Sequence, residues 1–373
     1  MNYLRLLSLL LALPAASLAA PATHDAAAAA APASTEYGVS AKGFDGVLTA
    51  KRPLNIVMTN DDSWASANIR AFYYALRRAG HKVLMVGPSH NQSGKGGTFE
   101  LPTSVNLTVA GRGGFVPVGA PYAGRNLTDE GLRYFNGTPA AAASWALDQE
   151  APAFFNAKKG DTTANVDLVV SGPNEGTNLG PFLYTLSGTI GAAYFAVERS
   201  VPAIAFSGSN AMRNYDVLDL DDRTDESVRL ARLSADFVTA LGDATHGDRE
   251  RIMPLGIGLN VNYPPVGASS NCTSLDFVHT RLTGGAFVDT IAVNATTGLP
   301  QYVNYVAKGI NQCNNGDCSL AGETLVVADK GACHATASVF ATDYDAPTHV
   351  IKSLLPALQR GIKKVNKNQK RDF

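Results

Sequence analysis

The chain is poor in cysteine, with four in 373 residues. That is too few for a disulfide-built mini-protein, so the fold must rest on packing. It also lacks an excess of either charge: 31 basic side chains face 32 acidic ones, for a formal net charge of −1. Nothing general therefore drives it onto nucleic acid duplexes or anionic membranes. Charged residues make up 17% and apolar ones 45%, which excludes a disordered or low-complexity chain. Three catalytic signatures are missing as well. There is no GxSxG elbow, no HExxH helix, and no GxxxxGK loop closed by Ser or Thr. Their absence argues against a serine esterase, a zinc protease and a P-loop enzyme. A serine hydrolase built on Ser187 or Ser207 has no identifiable His–Asp pair to serve it. Beyond residue 20 no stretch approaches transmembrane length.

What is present begins with an export signal. Residues 1–20 carry one early charge, Arg5, then an apolar run over 6–13 and small residues over 15–20. That is the three-part pattern of a secretory signal peptide. A membrane anchor is the competing reading, and the run is short for one. Asparagine-glycosylation sequons begin at Asn91, Asn106, Asn126, Asn136, Asn271 and Asn294, which fits a eukaryotic secretory route and an extracellular protein. In that compartment Cys272, Cys313, Cys318 and Cys333 form two disulfides with three possible pairings. A zinc site is the alternative, but the spacing lacks paired CxxC geometry.

Residues 21–52 are Ala-rich, including Ala26 to Ala31, and read as a leader or linker. The folded unit is expected over 53–358 and a basic solvated tail, a frayed helix end, over 359–373. Within the unit, buried strands are predicted over 54–59, 82–87, 166–170, 203–206 and 257–261. Helices are predicted over 65–79, 139–147, 187–198 and 226–241. This alternation predicts an α/β fold with a doubly wound, mainly parallel sheet. From Cys272 to Asp329 the pattern changes to hairpin-like alternation, for example around Phe277, His279 and 287–293. It reads as a β-rich C-terminal extension.

In such a sheet ligands bind beyond the carboxyl ends of the strands. Three polar segments lie there. Asn60-Asp61-Asp62 places two adjacent carboxylates after the first strand. They either share a divalent cation, which removes their repulsion, or cap the next helix. The second segment, 89–97, is rich in Ser and Gly, suited to an anion or simply flexible. The third, 171–180, carries Asn174, Asn178 and Gly180 and leads to Ser187-Gly188-Thr189. Hydroxyls and free N–H groups at a helix start favour phosphate, although Ser187 would also serve as a plain N-cap. Together these are hard oxygen donors, suited to magnesium, manganese or calcium, and the combination with phosphate suggests phosphoester hydrolysis.

The segments TNDDSWA, IRAFYYALRRAGHKVLMVGPSHNQSG, FNGTPAAAASWAL, VDLVVSGPNEGTNLG, LSGTIGAA, VPAIAFS and LNVNYPP occur in the order seen in SurE-like survival-protein phosphatases, which residues 54–355 resemble. The resemblance implies a Rossmann-like sheet and a metal-dependent acid phosphatase or 5′/3′-nucleotidase acting on a small phosphomonoester. It implies Mg2+ or Mn2+ held by Asp61, Asp62, Ser93 and Asn174, with the two Asp as the catalytic carboxylates. Asn60, Asn178, Gly180, Ser187, Gly188 and Thr189 map onto the phosphate side. It also implies a homodimer. Five positions depart from the family pattern: Ser63 replaces a Gly, Gln92 a basic residue, Leu186 a Tyr, Phe195 an acid and Ala141 an Asp. They leave a secreted binding protein without turnover as the alternative function. The sequon at Asn91 overlaps the candidate ligand Ser93. The sequon is expected to be unused or to carry its glycan outward, and glycopeptide mass spectrometry that finds Asn91 fully modified on active protein would contradict this.

Overall fold

The computed structural model describes residues 41–343 apart from 162, 246–250, 269, 273, 284–287, 306–317, 330 and 331, together with 345, 352 and 354–369. The signal peptide and most of the leader therefore lie outside the described residues, as do Cys313 and Phe287.

Among the described residues, nine strands form one sheet. Its centre is β1 (Asn55–Thr59), flanked by β2 (Lys82–Pro88) and β5 (Leu168–Glu175). Beyond β2 lie β4 (Leu132–Phe135) and then β3 (Ala123–Arg125). Beyond β5 lie β6 (Ala203–Gly208), β7 (Ile257–Asn262), β11 (His334–Ala341) and β8 (Asp276–Thr280). The strands from β4 across to β7 are parallel, while β3 and β11 run antiparallel to β4 and β7. A separate antiparallel pair, β9 (Val288–Val293) with β10 (Pro300–Tyr305), belongs to the C-terminal extension.

The chain moves from β1 outward through β2 to β4, then returns to β5 and moves outward on the other side. The strand order thus reverses between β1 and β5, which opens a crevice at their carboxyl ends. Both sheet faces are covered. In β1, Ile56 and Met58 enter one core and Val57 the other; in β6, Ile204 and Phe206 pack opposite Ala203 and Ala205. Such strands read as continuous apolar runs for this reason. The first face is covered by α1 (Ala67–Arg78) and α6 (Glu226–Ala244), the second by α2 (Pro139–Trp145), α3 (Ala151–Phe154) and α5 (Gly188–Glu198). Phe206 stacks edge-on against Phe72 and Phe237 and parallel to Tyr263. Truncating it to Ala would cost about 3–5 kcal/mol.

Several expectations need revision. The leader is shorter than 21–52, because Ala41 and Phe44 are buried in the main core and Gly43 N–H donates to Leu220 O. Strand β5 does not stop at residue 170. It continues through a bulge and a cis Gly172–Pro173 bond to Glu175, where Asn174 pairs with Ser207. A seven-residue helix, α4 (Gly180–Leu186), fills the stretch between the third polar segment and Ser187, with Pro181 in its first turn. The short strands β3 and β4 also escaped the periodicity, because strands of three and four residues are too short to show one. In the extension, α7 (Glu323–Ala328) precedes β11, and a final helix, α8 (Leu355–Gln369), is longer than a frayed end. Cys272 and Cys333 are bonded, clamping the starts of the neighbouring strands β8 and β11, and Cys318 is disulfide-bonded too. No helix among the described residues is long and apolar enough to cross a membrane.

His81, buried between α1 and β2, is held neutral. Its Nδ1 accepts the Leu54 N–H, and its Nε2 lies 3.1 Å from Thr239 Oγ1. Burial pushes its pKa down from 6.5 to about 4. Because the folded pKa lies below the unfolded one, this contribution is complete above pH 6.5. It is lost as the pH falls toward 4, an amount of about 3 kcal/mol. Thermal melts across that range should therefore show a shallower acid decline for His81→Asn, whose side-chain oxygen can still accept the Leu54 N–H but cannot take a proton. Parallel declines in both proteins would rule His81 out as the source.

Candidate active site

Asn60, Asp61 and Asp62 follow β1 without a break, and Asn174 and Glu175 end β5, so all five stand at the crevice. The capping reading of the two Asp residues does not hold. Helix α1 starts at Ala67 with Ser66 at its N-cap and no side-chain cap bond. Asp61 instead faces the start of α5, across the sheet end. Thr189 Oγ1 donates to Asp61 Oδ1 at 2.5 Å, and backbone N–H groups of Gly188 and Thr189 also favour its charge. Glycine is required at 188, since a Cβ there would lie 2.8 Å from the Asp61 Cβ. Asp62 Oδ2 accepts the Glu175 N–H at 2.9 Å, while its Oδ1 accepts no hydrogen bond among the described residues.

Both carboxylates are 2% exposed. Burial pushes Asp61 up from the usual carboxylate range, against the opposing Thr189 bond. Asp62 is pushed well above it, by burial first and then by the charges of Asp61 and Glu175. Among the described residues no Lys or Arg forms an ion pair with either. The same Thr189 hydroxyl sits 3.2 Å from Asn174 Oδ1, so one hydrogen lies between two acceptors. Asp61, Asp62 and Asn174 thus present closely gathered oxygens with too little positive charge to balance them. That donor set fits a hard divalent cation. Among the described residues no group of three or more His, Cys, Asp or Glu stands ready for a metal, so the amide and hydroxyl oxygens would have to complete the set.

Ser93 is brought toward Asp61 through its neighbour, because Gln92 N–H donates to Asp61 O at 2.7 Å. Ser93 itself is exposed, with its N–H on Asn91 Oδ1 and no hydrogen bond to its hydroxyl among the described residues. Asn60 is buried, and its Nδ2 donates to Ser63 O. Ser63 keeps a glycine-like backbone, with φ at 109°, which costs a side chain on the order of 1–3 kcal/mol. Its hydroxyl offsets part of this by donating to Ser89 O and accepting the Ala65 N–H. His90 Nδ1 lies 2.9 Å from Ser89 Oγ, which donates to Asn136 Oδ1. Burial and then Lys95 lower the His90 pKa.

The segments mapped to phosphate are placed unevenly. Ser187 is the N-cap of α5: its Oγ accepts the Ile190 N–H, and its own hydrogen has no acceptor among the described residues. Thr189 is committed to Asp61 and Asn174. Gly180 N–H is taken by Glu323 Oε1. Asn178 donates its N–H to Asn262 and one Nδ2 hydrogen to Ser207, while its carbonyl accepts from Asn260 and Asn262. Glu323 also accepts from Asn260 and Ser338, and burial lifts its pKa to about 7.

Three residues at this site escaped the sequence reading. Arg112 and Glu175 form a forked ion pair behind Asp62, and Glu323 underlies α4. No local signal marks them. Arg112 lies in a Gly-rich insert, and Glu323 lies in the extension, far along the chain from the groups it holds. Two of the departures find packing roles instead. Phe195 packs on Phe99, and Ala141, on α2, is fully buried in the core.

The family model of the survival protein SurE matches residues 56–287, more than half of the chain. An acid phosphatase from Yarrowia lipolytica is 46% identical over 296 residues, which is 78% of this chain and 80% of that protein. A 5′-nucleotidase SurE from Desulfovibrio desulfuricans is 32% identical over 214 residues, 57% of this chain and 66% of that protein. The crystal structure of a SurE protein from Aquifex aeolicus aligns with a TM-score of 0.53 at 21% identity. The alignment covers 82% of this chain and 99% of that one, a likeness of fold. The order of strands around β1, the paired carboxylates at its end and the extent of these matches agree: this chain belongs to the SurE survival-protein family.

Proposed function

We propose that this protein is a secreted, divalent-cation-dependent phosphomonoesterase, an acid phosphatase or 5′/3′-nucleotidase, working as a homodimer. The observation that carries the reading is the pair of buried neighbouring carboxylates, neither ion-paired to a Lys or Arg among the described residues, at the point where the strand order reverses. The names carried by the relatives, acid phosphatase and 5′-nucleotidase, support the reaction class. The disulfide between Cys272 and Cys333 supports an oxidising compartment. Among the sequons, Asn106 and Asn271 are exposed and suit a glycan. Asn126 is buried with its Oδ1 accepting from Thr128 and Asp129, so a glycan there needs that turn open. The exposed Leu358 and Ile362 on α8 support self-association.

Asp61, Asp62 and Asn174 would hold Mg2+ or Mn2+, with Ser93 joining from the loop after β2. The cation supplies Lewis-acid polarisation of the phosphoryl oxygens. The chain's own residues do the rest. Thr189 and the Glu175 N–H fix the two carboxylates before substrate arrives. Ser187 offers its hydroxyl hydrogen at the start of α5, where the helix dipole favours an anion. A phosphoryl group lying between that helix start and the carboxylate pair meets a donor on one side and the cation ligands on the other.

Hydrolysis of p-nitrophenyl phosphate and AMP by the purified protein should vanish in EDTA and return with Mn2+ or Mg2+. Asp61→Asn should lower kcat/KM by at least ~100-fold. Full activity in that variant would remove the proposed site, and wild type inert with every cation would leave a binding protein. A second outcome is expected from calorimetry in EDTA. Asp62→Asn should melt at or above the wild-type temperature, because it removes a buried like charge.

A further inference from the structure

Arg112 stands behind Asp62 and is spent on protein groups. A guanidinium carries five N–H donors, and the structure gives partners to all five. Nε donates to Asn214 Oδ1 at 2.8 Å. Nη1 donates to Asp62 O at 2.9 Å and Glu175 Oε2 at 2.8 Å. Nη2 donates to Glu175 Oε1 and to Arg213 O, both at 2.9 Å. The side chain is only 12% exposed, and that of Glu175 is 1% exposed.

These five bonds join three loops at the carboxyl end of the sheet. Asp62 follows β1, Glu175 ends β5, and Arg213 with Asn214 follows β6. Arg112 itself comes from the insert after β2, anchored by its own N–H on Ser89 O. Glu175 is held further by Ser66 Oγ and Arg213 N–H, both on Oε1. Asp62 is thereby gripped at two points. Its carbonyl takes Arg112 Nη1, and its carboxylate takes the N–H of the residue whose side chain Arg112 clamps. A positively charged side chain beside a phosphatase site would ordinarily be read as a contact for the substrate. With every donor occupied and little surface open, Arg112 has nothing left to offer a phosphoryl oxygen.

We propose that Arg112, paired with Glu175, is a positioning residue that sets the cation affinity of the Asp61–Asp62 site by holding the Asp62 carboxylate in place, and that it does not bind substrate. This rests on the cation-dependent reading above. Its physical basis is geometric. The planar fork meets the two Glu175 oxygens side by side while Nε and the outer hydrogens reach two further loops. Lysine keeps the charge but has three donors from one point, so it cannot span these partners. Asp62 would then be free to turn, and each binding event would have to order it again. Glu175 matters for its side chain as well as its N–H. Without it the guanidinium would be an unpaired buried cation next to the metal ligands, repelling the ion they bind.

The experiment is Mn2+ binding to the full-length secreted protein by titration calorimetry, with no substrate present. Melting temperatures in EDTA and steady-state kinetics at saturating Mn2+ accompany it. Arg112→Lys should weaken Mn2+ binding by about 10–100-fold. Its KM for p-nitrophenyl phosphate, once Mn2+ is saturating, should stay within about twofold of wild type, as expected when uniform substrate binding is untouched. Glu175→Gln retains the backbone N–H and one acceptor oxygen but turns an amide group toward Arg112. It should weaken Mn2+ to a similar degree, and it keeps the question open to measurement if Arg112→Lys does not fold. Wild-type Mn2+ affinity in either folded variant overturns the positioning role and leaves the proposed function standing. A raised KM at saturating Mn2+ with unchanged Mn2+ affinity overturns it in favour of direct substrate contact. A wild type that binds no Mn2+ overturns both.

Discussion

Two carboxylates on consecutive residues, buried together, repel each other. At the effective dielectric of a protein interior the cost is on the order of a few kcal/mol. The structure around the crevice is organised by that repulsion. Asp61 is turned toward the N-terminus of α5 and the Thr189 hydroxyl, Asp62 toward the Glu175 N–H. Each is stabilised by a hydrogen bond, and among the described residues neither forms an ion pair. The nearby guanidinium of Arg112 is committed to Glu175. A site arranged in this way holds its charge deficit open, which a folded protein tolerates where a ligand is meant to complete it.

The fold makes this arrangement possible through its small residues. Helix α5 can approach the end of β1 because Gly188 leaves room for the Asp61 side chain. The loop after β2 can lie across α5 because a Cβ at Gly191 would stand 2.1 Å from Gly96 O. Ser63 shows the same demand met at a cost. A left-handed backbone is needed directly after the carboxylates, and the serine there supports it with two hydrogen bonds of its own hydroxyl. Local preference yields to site geometry at this position, as is common in functional segments.

The main strands β1, β2 and β6 were legible because they are covered on both faces, so burial forces nearly uninterrupted apolar runs. Asp61 and Asp62 were legible for a related reason: strand ends in a parallel sheet all point to one rim, so chemistry in consecutive residues after a strand has a known address. Other parts carried no such signal. Gly172-Pro173 reads as a turn, yet it lies within β5, where a bulge keeps Asn174 paired with Ser207. Residues 41–47 follow an Ala-rich segment and read as linker, yet Phe44 fills the core beside α6. Asn174 and Thr189 looked like separate features, yet the Thr189 hydroxyl hydrogen lies between Asn174 Oδ1 and Asp61 Oδ1.

The order of apolar runs and the residues that follow them were enough to specify a parallel α/β sheet and to place two acids at its rim, because both depend on local burial pattern and chain direction. Which groups support those acids was decided only in three dimensions. Arg112 reaches partners 50, 63 and 102 residues away, and Glu323 reaches Gly180 across 143. Bonds between such distant residues leave no periodicity in a single chain. They exist because the sheet's carboxyl edge gathers loops that the sequence keeps apart.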